Sequence, residues 1–174
     1  MFHVPEPNIN PNIPKPEKAF REAVTKALEE ILNYKKAKDQ LIEYCILQDF
    51  GLDIAVFIEW PNNLYTVQFF ELKAYVESRP GGVGLSPTQV NILELENTKL
   101  KLLNQFVRWL LVDGTKQRGS KRFIIFDNIQ AKNAVMGKLK KEKTNNLRIG
   151  DLTKNAITWK DFLNELNKIL KPPI

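Results

Sequence analysis

Two apolar runs joined by three turn-forming residues constrain this chain more than any other feature. "LDIAVFIEW" (Leu52–Trp60) and "LYTVQFFELKAY" (Leu64–Tyr75) are rich in the β-branched and aromatic residues that favour strands, and "PNN" between them is a turn signal. Together they predict an antiparallel hairpin. Within the second run, however, Glu71 and Lys73 stand where a buried strand would carry Val or Ile.

Strand residues two apart share a face, about 6.6 Å apart along the chain, so Glu71 and Lys73 project together. On the first run Asp53 shares a face with Ala55 and Phe57, while Ile54, Val56 and Ile58 point the other way. A register that sets Asp53 opposite Glu71 closes the turn with Pro61, Asn62 and Asn63, a plausible loop length. Two carboxylates and an ammonium then converge at one end of the hairpin. Carboxylates that close repel, and a bound divalent cation reverses the repulsion. An all-oxygen donor set favours Mg²⁺ or Mn²⁺ over Zn²⁺. Such an ion activates water and polarises a phosphoryl oxygen. Lys73 would position or deprotonate the water, or neutralise the phosphate. Phosphodiester hydrolysis is the chemistry that fits. The plainer alternative is a cross-strand ion pair on a wetted sheet, worth under ~1 kcal/mol. Apolar neighbours on both faces argue against a wet sheet, and a buried pair without a ligand is costly.

Other chemistries fall away for want of residues. The chain has 174 residues, about one domain, and its only histidine is His3, in a Pro/Asn-rich start. That leaves no base for a Ser-His-Asp or Cys-His arrangement and no histidine-clustered zinc site. No GxxxxGK[ST] marks a P-loop. Cys45 is the single cysteine, so no intrachain disulfide forms; within "LIEYCIL" it reads as a buried structural thiol. No apolar run approaches the ~20 residues of a membrane span, and the start lacks a signal-peptide pattern. The chain reads as soluble and cytoplasmic, with no membrane partner. A net charge of +6 and a pI near 9.3 lean toward a polyanionic partner.

Residues 1–15, punctuated by Pro5, Pro7, Pro11 and Pro14, read as an extended, mobile Pro/Asn-rich arm, and 16–174 as a single domain. Phe20, Val24, Ala27, Leu28 and Ile31 recur at helical spacing over 17–37. "LIEYCIL" (41–47) is expected to be the first strand. After "SRPGGVGLSP", one long helix is expected over 86–113, with Ser86 as N-cap, Pro87 at N1 and Gln89 at the capping-box position. Phe106 and Trp109 would be core residues of that helix. "RFIIF" (122–126) reads as a buried strand, 128–143 as a basic helix, "NLRIGDL" (146–152) as an edge strand, and Thr158 as the cap of a last helix. The expected fold is α/β: a mixed central sheet that starts with an antiparallel hairpin, gains a strand by an α/β crossover, and is flanked by helices.

"GLDIAVFIE" followed by "VQFFELKAY" resembles the signature of the PD-(D/E)xK, or restriction-endonuclease-like, nuclease superfamily. There an acidic residue opens one strand and E-x-K sits on the next; Asp53 matches the first, Glu71 and Lys73 the second. The order helix, three strands, helix, strand also matches, so the resemblance covers residues 17–126. Leu52 stands where the name-giving proline would be. The resemblance implies a restriction-endonuclease-like core and a Mg²⁺- or Mn²⁺-dependent nuclease acting on DNA, with Asp53 and Glu71 as metal ligands. Many members add a Glu on the helix before the strands. Glu17 lies on the core face of that helix and is the candidate, with Glu22 in reserve and Glu43 a competitor; the alternative for Glu17 is a favourable charge at a helix N-terminus. Several members carry a Gln in a context like "LSPTQ", which Gln89 matches; the alternative is a capping residue bonded to Ser86.

Arg79, just beyond the E-x-K strand, and the turn residues Lys116, Arg118 and Lys121 are candidate phosphate contacts, though basic turns are also ordinary solvated surface. The competing reading is a non-catalytic module that keeps the nuclease fold to bind nucleic acid or protein. With no separate target-recognition domain evident, structure-selective or partner-directed cutting is expected, by a homodimer or with a partner protein where two strands are cut.

Overall fold

The computed structural model describes residues 2–76, 82–139 and 145–174. Helix α1 (Pro16–Ala37) has proline in its first turn, buries Phe20, Val24, Ala27, Leu28, Ile31 and Leu32, and ends with Lys35 and Lys36, whose charges suit its negative C-terminal end. Strands β1 (Glu43–Phe50), β2 (Leu52–Trp60) and β3 (Leu64–Tyr75) follow, each antiparallel to the last. At the β2–β3 turn Asn62 and Asn63 sit at φ 67° and 58°, a left-handed conformation that asparagine tolerates. The register pairs Trp60 with Leu64 and Ile54 with Phe70, which sets Asp53 beside Glu71 as the alternation predicts.

A crossover runs through β4 (Val83–Leu85), α2 (Pro87–Leu93) and α3 (Asn97–Leu103) to β5 (Val107–Asp113), which lies parallel to β3. Strand β6 (Phe123–Phe126) pairs antiparallel with β5, completing a mixed five-stranded sheet of order β1-β2-β3-β5-β6. Beyond it come α4 (Asn128–Asn133), β7 (Asn145–Leu147), α5 (Ile149–Leu152) and α6 (Trp159–Ile169). One sheet face presents Ile54, Val56, Phe70, Leu72 and Leu110 to α1 and α6. The other presents Trp109, Leu111, Ile124 and Phe126 to Leu93, Ala131, Ala134 and Leu147, a layer that draws no residue from β1 or β2. No helix among the described residues is long and apolar enough to cross a membrane.

Several expectations change. The run 86–113 is not one helix: it divides into α2, α3 and strand β5. A central strand covered on both faces reads as a near-continuous apolar run, here Trp109–Val112, with no period that separates it from a buried helix. Trp109 is buried, but in a strand, where its Nε1 donates to Asn128 Oδ1 at 2.8 Å; the Asn128 amide in turn donates to Asn104 Oδ1 at 2.9 Å. Phe106 is exposed. So is Cys45, because β1 is an edge strand and no described residue covers its second face. The first strand runs to Phe50 rather than stopping at Leu47.

The basic run is helical only over α4; Val135 instead bridges to Leu147, and 140–144 lie outside the described residues. The region 146–152 is split between β7, which pairs with β4 in a separate two-stranded sheet, and α5. The N-terminal arm is docked rather than mobile. Val4 and Ile9 are buried, and Trp159 Nε1 donates to the Val4 carbonyl at 2.8 Å.

Candidate active site

Glu71 and Lys73 point to the β3 face opposite Phe70 and Leu72, and are only 5% and 6% exposed. Their neighbours in register on β5 are Trp109 and Leu111, so both charged groups emerge from apolar surroundings. Asp53, near the start of β2, is tied across the hairpin: its Oδ2 accepts from Leu72 N at 2.7 Å. Its carboxyl also hydrogen-bonds that of Glu71. Burial, this hydrogen bond and the Asp53 charge push Glu71 up to about 9, against opposing effects of Gln89 and Lys73. Glu71 therefore keeps its proton at neutral pH.

Gln89 reaches this pair from the first turn of α2. Its Oε1 accepts from Ser86 N at 2.8 Å, its own N–H donates to Ser86 Oγ at 3.3 Å, and its Nε2 donates to Glu71 Oε1. The capping and site readings are thus not alternatives, because the two ends of one amide serve both. Glu17 approaches from the first turn of α1. Burial raises its pKa most, Lys73 opposes, and Asp53 adds to the rise.

A cleft of about 300 Å³ is lined by Glu17, Asp53, Glu71, Lys73 and Gln89, together with Asp49, Gly51, Leu52, Ser86 and Thr88. All five residues expected to be catalytic therefore share one cleft. Glu22 is exposed and does not line it; Glu43 is held by Lys36 at 2.7 Å, also away from it. Lys116, Arg118 and Lys121 are exposed in the β5–β6 turn, and none lines the cleft. Arg118 instead lies 3.7 Å from Glu6 of the arm. Arg79 lies outside the described residues.

Sequence reasoning missed Arg21 and Asp49, which pair at 2.8 Å with Asp49 lining the cleft. Signals for both were present: Arg21 follows Glu17 by one helical turn, and Asp49 shares its strand face with Cys45 and Leu47.

Asp53 and Glu71 each have one oxygen already oriented by a donor, Leu72 N in one case and Gln89 Nε2 in the other. This all-oxygen pair suits Mg²⁺, which characteristically takes one or two protein carboxylates and completes its shell with water and substrate phosphate. Among the described residues no group of three or more His, Cys, Asp or Glu is arranged to hold a metal ion. Compared with models of known families, with characterised proteins and with solved structures, the chain matches none.

Proposed function

We propose that this chain is a metal-dependent nuclease that hydrolyses phosphodiester bonds in DNA on a restriction-endonuclease-like core. The observation that carries the reading is the convergence of Asp53, Glu71, Lys73 and Gln89, from three separate elements, on one cleft. Asp53 and Glu71 would hold Mg²⁺ or Mn²⁺, which supplies water activation and polarisation of the phosphate when bound. Gln89 orients the Glu71 carboxyl, and the Leu72 amide orients Asp53. Lys73 is the cation of the cleft lining; it steadies the attacking water or the charge that builds on the phosphate. Glu17 completes the acidic wall on the α1 side.

The test is a cleavage panel of single-stranded, duplex and branched DNA and of RNA, with Mg²⁺ and Mn²⁺. DNA should be cut, EDTA should stop the cutting, and Asp53→Ala and Lys73→Ala should abolish it. Wild-type protein no more active than these variants overturns the catalytic reading. The competing reading is a non-catalytic binding module that keeps the nuclease fold. It predicts DNA binding indifferent to EDTA, with no cleavage.

A further inference from the structure

We infer that Arg21 holds a substrate phosphate at the rim of the cleft, and that Asp49 occupies its guanidinium until the substrate arrives; this rests on the phosphodiesterase reading above. The need for such a group is electrostatic. The cleft lining carries the carboxyls of Glu17, Asp49, Asp53 and Glu71 against the single ammonium of Lys73. Even with Glu71 protonated the balance is negative, and a polyanion approaching it is repelled. A cation at the rim offsets that repulsion.

Arg21 stands one helical turn beyond Glu17, on the side of α1 that meets the cleft, and lies near enough to Glu17 to act on its charge. Among the described residues its guanidinium is partnered by Asp49, through a single contact of 2.8 Å from Nη1 to Oδ1. The Arg21 side chain is 24% exposed and that of Asp49 73%, so the arginine stem is packed while the ion pair is wet. A wet pair is weak and is readily exchanged. One contact leaves most of the five N–H donors of the fork unused, and that fork matches a phosphate in two-point fashion. Asp49 sits at φ 57° beside the tight β1–β2 turn at Gly51, and its exposed carboxylate lines the cleft.

The test uses a fluorescein-labelled DNA oligonucleotide and wild type, Arg21→Ala, Arg21→Lys and Asp49→Ala. Cleavage is read as KM and kcat with Mg²⁺, and binding as anisotropy with Ca²⁺. Arg21→Ala is expected to raise KM and weaken binding about tenfold or more, the loss of a charge-assisted contact, with kcat changed by no more than about threefold. Arg21→Lys should recover part of the affinity, and Asp49→Ala should tighten binding by releasing the guanidinium. Equal losses of stability in Arg21→Ala and Asp49→Ala with KM unmoved overturn the proposal, because the pair is then only a strut. Wild type that binds through Arg21 yet cuts nothing defeats the nuclease reading alone. Cutting with a KM indifferent to Arg21 defeats this one alone. Neither cutting nor binding defeats both.

Discussion

The Gln89 side-chain amide donates to the Glu71 carboxyl while its carbonyl end accepts from Ser86, so one residue joins a helix cap to a buried acid. The two functions separate by substitution. Gln89→Ala removes both and should cost about 1 kcal/mol in urea unfolding, the usual size of a lost cap. Gln89→Glu keeps an oxygen for Ser86 N but has no N–H for Glu71, so cleavage should fall further than stability does. Stability and cleavage falling in proportion in both variants would leave the Glu71 contact with no role of its own.

Glu71 should give the protein an alkaline weakness. Its pKa rises from the ordinary 4.5 to about 9, so the native state holds a proton that the unfolded chain has released between those values. The stability due to this group is complete below about 4.5 and is lost as pH rises through about 9. Glu71→Gln keeps a neutral side chain of similar shape. Thermal melts from neutral to alkaline pH should therefore decline less steeply in the variant than in wild type; identical slopes would remove Glu71 as the cause.

A divalent cation should replace the Glu71 proton. Mn²⁺ or Mg²⁺ is expected to raise Tm, and to raise it more at alkaline than at acidic pH, because binding requires the proton to leave. Asp53→Ala should erase the increment. A Tm increment that survives Asp53→Ala would place the ion elsewhere.

Arg122 fastens the N-terminal arm. It is 1% exposed, and its guanidinium donates to the carbonyls of Ile9 at 2.6 Å and Pro7 at 2.8 Å, with Glu6 at 3.3 Å. Arg122→Ala leaves these acceptors without their donor and should destabilise the fold by about 3–5 kcal/mol, the range for breaking a buried charge pair. Limited proteolysis should then cut within residues 4–13 before the rest of the chain; resistance equal to wild type would show that the arm is held without the arginine.

Cys45 lies exposed on β1, so a thiol reagent should titrate it promptly in the native state, at the rate of an accessible thiol. Reaction only after unfolding would place a cover over the free face of the sheet.

How far the sequence reached depends on whether a residue's neighbours in space are also its neighbours in pattern. The β2–β3 hairpin met that condition. Alternation with a period of two, closed by a three-residue turn, leaves one pairing that buries Ile54 and Phe70 together, and the same pairing sets Asp53 beside Glu71. The α1 core face, the Ser86–Gln89 capping box and the Thr158 cap were legible for the same local reason. Strand β5 was not, since its continuous run Trp109–Val112, packed on both faces, shows no alternation by which to count.

What the sequence by itself determined, then, was the hairpin, its register and the carboxylate pair, because short-range periodicity dictates all three. Only the tertiary structure decided that Gln89 serves its cap and Glu71 at once and that Arg21 meets Asp49. It also decided that the arm docks through Val4 and Ile9 and that Cys45 is exposed. Each of those depends on which surface a distant element covers, and that choice follows from burying the whole apolar surface together rather than from any local run of residues.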